Sequence, residues 1–251
     1  MKSQSPFNQI ASSKSAFTLT ELLVTIAIIM VLVAMSFLGI GHMRAAGDRI
    51  GAIRSLSQIQ LANMSYATDR NGVFMPSEVF DDKGSSFVAW YESTHFLSYI
   101  KGDGSVYLPN GQVDKTLPRS MMDPIVVRAK KKQYDDLSAS FGYLTNEVPN
   151  RGWGIPNSQG SFRSSQLTSP ARSAAFMTCT DWNVDYDSRF LWKGAEAVEG
   201  RTGNQKIAYR HKGKALVGYY DGHIDEISVA EMKKIDSKGG SKNIFWKPDA
   251  K

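Results

Sequence analysis

The chain has 251 residues, a formal charge of +6 and one cysteine, a length that accommodates one or two domains. A single cysteine, Cys179, excludes an internal disulfide and a zinc site of the paired-cysteine type. The positive charge is scattered, with Lys130-Lys131-Lys132 the one dense run and no recognition motif beside it, so no nucleic-acid partner is expected.

The chain opens on a polar leader, MKSQSPFNQIASSKSA, carrying Lys2 and Lys14. From Leu22 to Ile40 every residue is then apolar or small except Thr25 and Ser36, close to the ~20 residues a helix needs to cross a bilayer. The run outlasts the roughly 7–15 apolar residues of a secretory signal peptide, and no A-x-A site closes it. A retained, single-pass membrane helix is predicted. Arg44, Arg49 and Arg54 nearly balance the two lysines in front, so basic residues alone do not set its orientation. Glu21 is the anomaly, because a carboxylate at membrane depth is expensive and calls for a partner.

Helical spacing continues past the apolar run. Ile50, Ile53, Leu56, Leu61, Met64 and Ala67 share an arc of roughly 140° at about 100° per residue, with Arg49, Arg54, Ser55 and Gln58 elsewhere. Asp69-Arg70-Asn71-Gly72 supplies a stop, followed by Pro76. One helix is therefore predicted from Phe17 to Thr68, with residues 17–41 apolar and membrane-spanning and 42–68 amphipathic. Gly39, Gly41 and Gly47 would soften it at the membrane exit.

After Val73 the segments shorten. SSFVAWYESTHFLSYI suits a helix or a helix–strand mix, while SVYLP, SFGYLT, SAAFMTCTDW and KALVGYY suit strands. Residues 146–169 suit a long loop, and Trp90, Trp153, Trp182 and Trp192 suit core or sheet packing. Lys214 to Tyr220 predicts a strand, Asp221-Gly222 a two-residue hairpin turn, and His223 to Ile227 the return strand. The fold class expected is α+β: one long N-terminal helix leading into an antiparallel β-rich head over residues 69–251.

Two groups of residues invite a metal. Asp181, Asn183, Asp185 and Asp187 place oxygens at alternate positions, an echo of a calcium loop. Tyr186 stands where that loop needs Gly, however, and Trp192 where it needs a bidentate Glu. His211, Asp221 and His223 flank one hairpin, where a turn-and-hydrogen-bond role is expected over a metal. No G-x-S-x-G motif occurs, and His42, His95, His211 and His223 have no companion signature, so no catalytic residue and no cofactor is expected.

Lys14-Ser15-Ala16-Phe17-Thr18-Leu19-Thr20-Glu21-Leu22-Leu23 resembles the processing site of type IV prepilins and type II secretion pseudopilins. Their pattern is a basic residue, a small residue, the scissile bond, Phe, three residues, Glu and an apolar run; Ala16 stands where Gly is usual. The resemblance implies removal of leader 1–16 by a prepilin peptidase cutting between Ala16 and Phe17, then N-methylation of Phe17. It implies anchoring in the bacterial inner membrane with the head on the periplasmic side. It also implies assembly with identical or related pilin-like subunits, Glu21 pairing with a neighbour's N-terminal amine. His211, nine residues, then Asp221-Gly222 resembles the H-x9-DG element of a pseudopilin-like group, and DRNGVFMP is similar to that group too. The implied function is a structural subunit of a secretion pseudopilus or type IV pilus-like filament, not an enzyme. The alternative, motivated by the 146–169 loop and its aromatic residues, is a membrane-anchored binding module whose head captures a glycan or secreted substrate.

Overall fold

The computed structural model describes residues 17–80, 87–101, 110, 117–129, 140–144, 158–159, 161–187 and 207–250. The chain divides into two compact units, Met1–Arg44 and Ala45–Lys251. Helix α1, Leu19–Asp69, begins in the first and ends in the second, within two residues of the sequence expectation at each end.

In the first unit the large apolar side chains of α1, from Leu22 to Met35, are exposed. Many are β-branched, a modest handicap for a helix in water. In hydrocarbon the backbone must satisfy its own polar groups, and a helix does so within one segment. The two polar residues inside the run follow the same rule. Thr25 Oγ1 donates to Leu22 O (2.8 Å) and Ser36 Oγ to Leu32 O (2.8 Å), so neither hydroxyl carries an unmet donor. Among the described residues α1 is the one helix long and apolar enough to cross a membrane.

In the second unit α1 buries a face made of Ala52, Ser55, Leu56, Ile59, Gln60, Ala62, Asn63, Tyr66 and Ala67. This face lies about 110° around the helix from the arc that hydrophobicity picks out. Ile50 and Leu61, expected inside, are 53% and 64% exposed, whereas Ser55, expected outside, is buried. Hydrogen bonding moves the face. Gln60 Nε2 donates to Tyr219 O (2.6 Å), and Asn63 Oδ1 accepts from Met75 N–H (3.0 Å). Ser55 Oγ lies 2.8 Å from Ser120 O and 3.1 Å from Met122 O. Buried polar groups with partners cost little, and here they fasten α1 to three separate segments.

Among the described residues eight strands form two sheets. β1 (Glu78–Phe80), β2 (Phe87–Ala89) and β4 (Ser158–Gln159) make a small antiparallel sheet in the order β2-β1-β4. The larger sheet runs β6-β3-β5-β7-β8, with β3 Phe141–Leu144, β5 Ala174–Thr178, β6 Asn183–Val184, β7 Lys214–Tyr219 and β8 Ile224–Ser228. Its neighbours are antiparallel except β3 and β6, which pair parallel, so the head is mixed rather than wholly antiparallel. The described residues add three short helices: α2 (Thr94–Lys101), α3 (Pro124–Ala129) and α4 (Val229–Ser237).

Both faces of the larger sheet are covered, which is why its central strands lack polar alternation. Ala175, Phe176 and Leu216 join one core with Leu56, Ile59 and Trp90. Ala174, Met177, Ala215, Val217 and Tyr219 join another with Met232, Phe245 and Trp246. At Gly218 a Cβ would press on Ile224 at 3.3 Å and make ordinary contact with Leu56 of α1 at 3.5 Å.

SFGYLT, SAAFMTCTDW and KALVGYY become β3, β5 and β7, and the mixed segment resolves into β2, a 3₁₀ turn at Trp90–Glu92 and α2. Trp90 is buried and Trp182 half-buried. SVYLP, Lys130–Lys132, Trp153 and Trp192 lie outside the described residues. The 146–169 loop needs correction at its end. Ser158 and Gln159 pair with β1, and Arg163 bridges to Val73, ahead of a 3₁₀ turn at Ser164–Gln166. Backbone pairing with distant partners fixes what turn-forming residues suggested was free.

Candidate functional site

At the start of α1 the Glu21 carboxylate has a local partner. Its Oε2 accepts from Thr18 N–H (2.9 Å) and from the Thr18 hydroxyl (2.8 Å), while Glu21 N–H donates to Thr18 Oγ1 (3.2 Å). This reciprocal pattern is a capping box, satisfying two of the donors that a helix N-terminus leaves open. Oε1 takes no part in it. Thr-x-x-Glu before an apolar run is legible in sequence, but hydropathy alone presents Glu21 as unpaired in the single chain. Phe17, immediately before the cap, is 75% exposed; Ala16 lies outside the described residues.

The second feature is a buried charge cluster in unit 2. Asp123, between the loop at 117–122 and α3, is fully buried with Arg210 and His211. His211 Nε2 lies 3.0 Å and Arg210 Nη1 3.6 Å from Asp123 Oδ2. Arg210 Nη1 and Nη2 also donate to Ser140 O (3.2 Å) and Cys179 O (2.6 Å). Asp123 Oδ1 accepts from Ile125 N–H (2.9 Å). Burial by itself raises the Asp123 carboxyl; the His211 hydrogen bond and the Arg210 charge outweigh it and hold the group below its ordinary value. Asp123 is therefore an ionised acceptor, and His211 Nε2 carries the hydrogen between them. Burial lowers Arg210, but from so high a starting value that the guanidinium remains charged. Cys179, beside this cluster, is pushed by desolvation up to about 12, which makes it an inert thiol rather than a nucleophile.

His211 begins the hairpin whose tip is Asp221-Gly222, so nine intervening residues are the approach, β7 and the start of the turn. At the base, His211 and Lys214 exchange backbone hydrogen bonds of 3.1 Å. At the tip, Tyr219 N–H donates to His223 O (3.0 Å) and Gly222 N–H to Tyr219 O (2.9 Å). The loop is thus Tyr220-Asp221-Gly222, three residues rather than the predicted two. A two-residue type I′ turn needs positive φ at both central positions, and Asp221 does not supply it. Gly222, at φ +99°, does. The extra residue keeps Tyr220 buried, its hydroxyl 3.3 Å from that of Tyr143. Asp221 Oδ1 accepts from His223 N–H (3.2 Å) and lies 2.5 Å from His223 Nδ1.

His211 and the Asp221–His223 pair therefore occupy opposite ends of the hairpin and do not converge on a metal. Asp181 is buried, with Oδ1 accepting from Trp182 N–H (2.8 Å). Asn183 belongs to β6, so the chain runs extended where a calcium loop would curl; Asp185 is half-buried and Asp187 exposed. Among the described residues no group of three or more His, Cys, Asp or Glu is arranged to hold a metal ion. Sequence reasoning found His211 through its motif but missed Asp123 and Arg210. Arg210 carried a faint signal, a charge inside the otherwise apolar IAYRH; Asp123 carried none.

Residues 11–37 match the family described as the prokaryotic N-terminal methylation motif. That match spans the end of the leader from residue 11 through Ala16, then Phe17, the capping box and most of the apolar run. It supports a type IV pilin-like, membrane-anchored subunit, implies processing by a prepilin peptidase and assembly with pilin-like subunits, and points to a structural role. No curated protein and no solved structure matches the chain.

Proposed function

We propose that this chain is a structural subunit of a type II secretion pseudopilus or type IV pilus-like filament. It is cleaved between Ala16 and Phe17, N-methylated on Phe17, and held in the bacterial inner membrane by one pass of α1, with unit 2 on the periplasmic side. The observation that carries this reading is the methylation-motif match at 11–37, lying across the start of a long apolar helix. Cleavage creates an ammonium group one residue ahead of the Thr18–Glu21 cap. In a low-dielectric setting that ammonium, on a neighbouring copy, attracts the Glu21 carboxylate strongly, offset in part by desolvation. The pairing sets the register between adjacent α1 helices.

The test is Glu21→Leu in cells that express the processing enzymes. The variant inserts and is cleaved, but no longer co-purifies with wild-type copies from membranes. Co-purification at the wild-type level would remove Glu21 from assembly.

A further inference from the structure

Among the described residues β8 is the edge of the larger sheet, and an edge strand is a template for adding another strand. Its pairing with β7 decides which way each peptide group faces. Tyr219 N–H reaches His223 O, and the register pairs Val217 with Asp225 and Ala215 with Ile227. Peptide groups alternate in an antiparallel ladder, so His223, Asp225 and Ile227 face β7 while Ile224, Glu226 and Ser228 face outward. The opposite side of β7 agrees, since Leu216 N–H points to Thr178 of β5.

Two of the three outward amides are already occupied. Glu226 N–H donates to Asp225 Oδ1 (2.7 Å), and Ser228 N–H donates to Glu231 Oε2 (2.8 Å). The second bond belongs to the capping box of α4, which also turns the chain away from strand geometry at Val229. The Ser228 hydroxyl and amide hold the Glu231 carboxyl below its ordinary value, keeping it an ionised acceptor. The Glu226 side chain is itself tied down, to Arg49 of α1 and, at 3.7 Å, to Lys214.

We propose that β8 is a guarded edge: the Asp225 and Glu231 carboxylates occupy the amides an added strand needs, so unit 2 does not join a second copy by sheet extension. An incoming strand would find one outward amide, at Ile224, and two carboxylates in place of the others. This inference concerns unit 2 alone and stands whether or not residues 1–16 are removed.

The test uses the full chain in detergent micelles, as wild type, Asp225→Ala, Asp225→Asn and Asp225→Ala/Glu231→Ala. A fluorescent peptide copying residues 214–219, the natural antiparallel neighbour of β8, is titrated in. Hydrogen exchange is followed at the Glu226 amide. Wild type shows no saturable peptide binding, and the double variant binds at least tenfold more tightly. Glu226 exchanges about tenfold faster in Asp225→Ala, the loss expected for one net hydrogen bond. Asp225→Asn, whose side-chain oxygen still accepts, behaves as wild type in both. Equal binding by wild type and double variant, or an unchanged Glu226 exchange rate in Asp225→Ala, overturns the proposal. Asp225→Ala leaves the α4 cap intact, so its exchange rate decides the matter if the double variant does not fold.

Discussion

Glu21 has a capping role in the fold and a proposed role in assembly, and the two separate by substitution. As the third helical residue, closing the capping box, it needs only an acceptor oxygen; as a partner for a neighbour's ammonium it needs charge. Glu21→Gln keeps the first and loses the second. In the proposed filament it retains α1 helicity by circular dichroism but loses co-purification with wild-type copies; wild-type assembly of Glu21→Gln would reduce the residue to a cap. Asp123 poses the complementary case, a buried charge whose partners are supplied. Asp123→Ala removes the buried carboxylate that Arg210 and His211 share and lowers unit 2 stability by about 3–5 kcal/mol in denaturant titration. Asp123→Leu paired with Arg210→Met recovers only part of that loss: the apolar pair avoids desolvating charge, but His211 Nε2, Ile125 N–H and the Ser140 and Cys179 carbonyls lose these hydrogen bonds. The pH dependence has a definite sign. The folded-state value of Asp123 lies below its ordinary 3.8, so its contribution is complete above about pH 4 and is lost as pH falls through the lowered value. Wild-type unit 2 loses stability on acidification through this window, and the Asp123→Leu/Arg210→Met variant loses less.

The second half of α1 shows how far an element can be read from its sequence. The helix and its ends were legible, because apolar spacing, absent prolines and the Asp-Arg-Asn-Gly stop agree. Its buried face was not, because Ser55, Gln60 and Asn63 are inside for reasons hydrophobicity does not encode. Their partners lie at Ser120, Tyr219 and Met75, far along the chain or across a turn. The corrected face makes a contrast: Leu56→Ala costs about 2–5 kcal/mol as a core truncation, whereas Leu61→Ser stays within about 0.5 kcal/mol. Equal costs in thermal melts of the two variants would restore the face predicted from hydrophobicity. The hairpin carries a similar lesson. Asp-Gly announced the turn, but the loop length was set by the burial of Tyr220, a tertiary demand. Gly222→Ala, which forces φ +99° on a side chain and sets a Cβ 2.8 Å from Met64 Sδ, costs about 1–3 kcal/mol.

Across the whole molecule, local chemistry was legible and pairing between distant segments was not. The apolar run, the central strands and the Asp221-Gly222 turn each rest on residues close in sequence. The Asp123 cluster, the β1–β4 pairing and the guarded β8 edge rest on segments brought together only by folding. The same division separates the two units: 11–37 carries a family signature, whereas unit 2 beyond α1 is defined by its own packing and hydrogen bonds. Everything proposed for assembly follows from one event, the cut that exposes Phe17. Mass spectrometry of the N-terminal peptide of the chain purified from membranes of cells containing a prepilin peptidase tests it most directly. The account predicts a mature chain that starts at Phe17 with a methylated α-amine; a chain that keeps residues 1–16, or starts elsewhere, contradicts it.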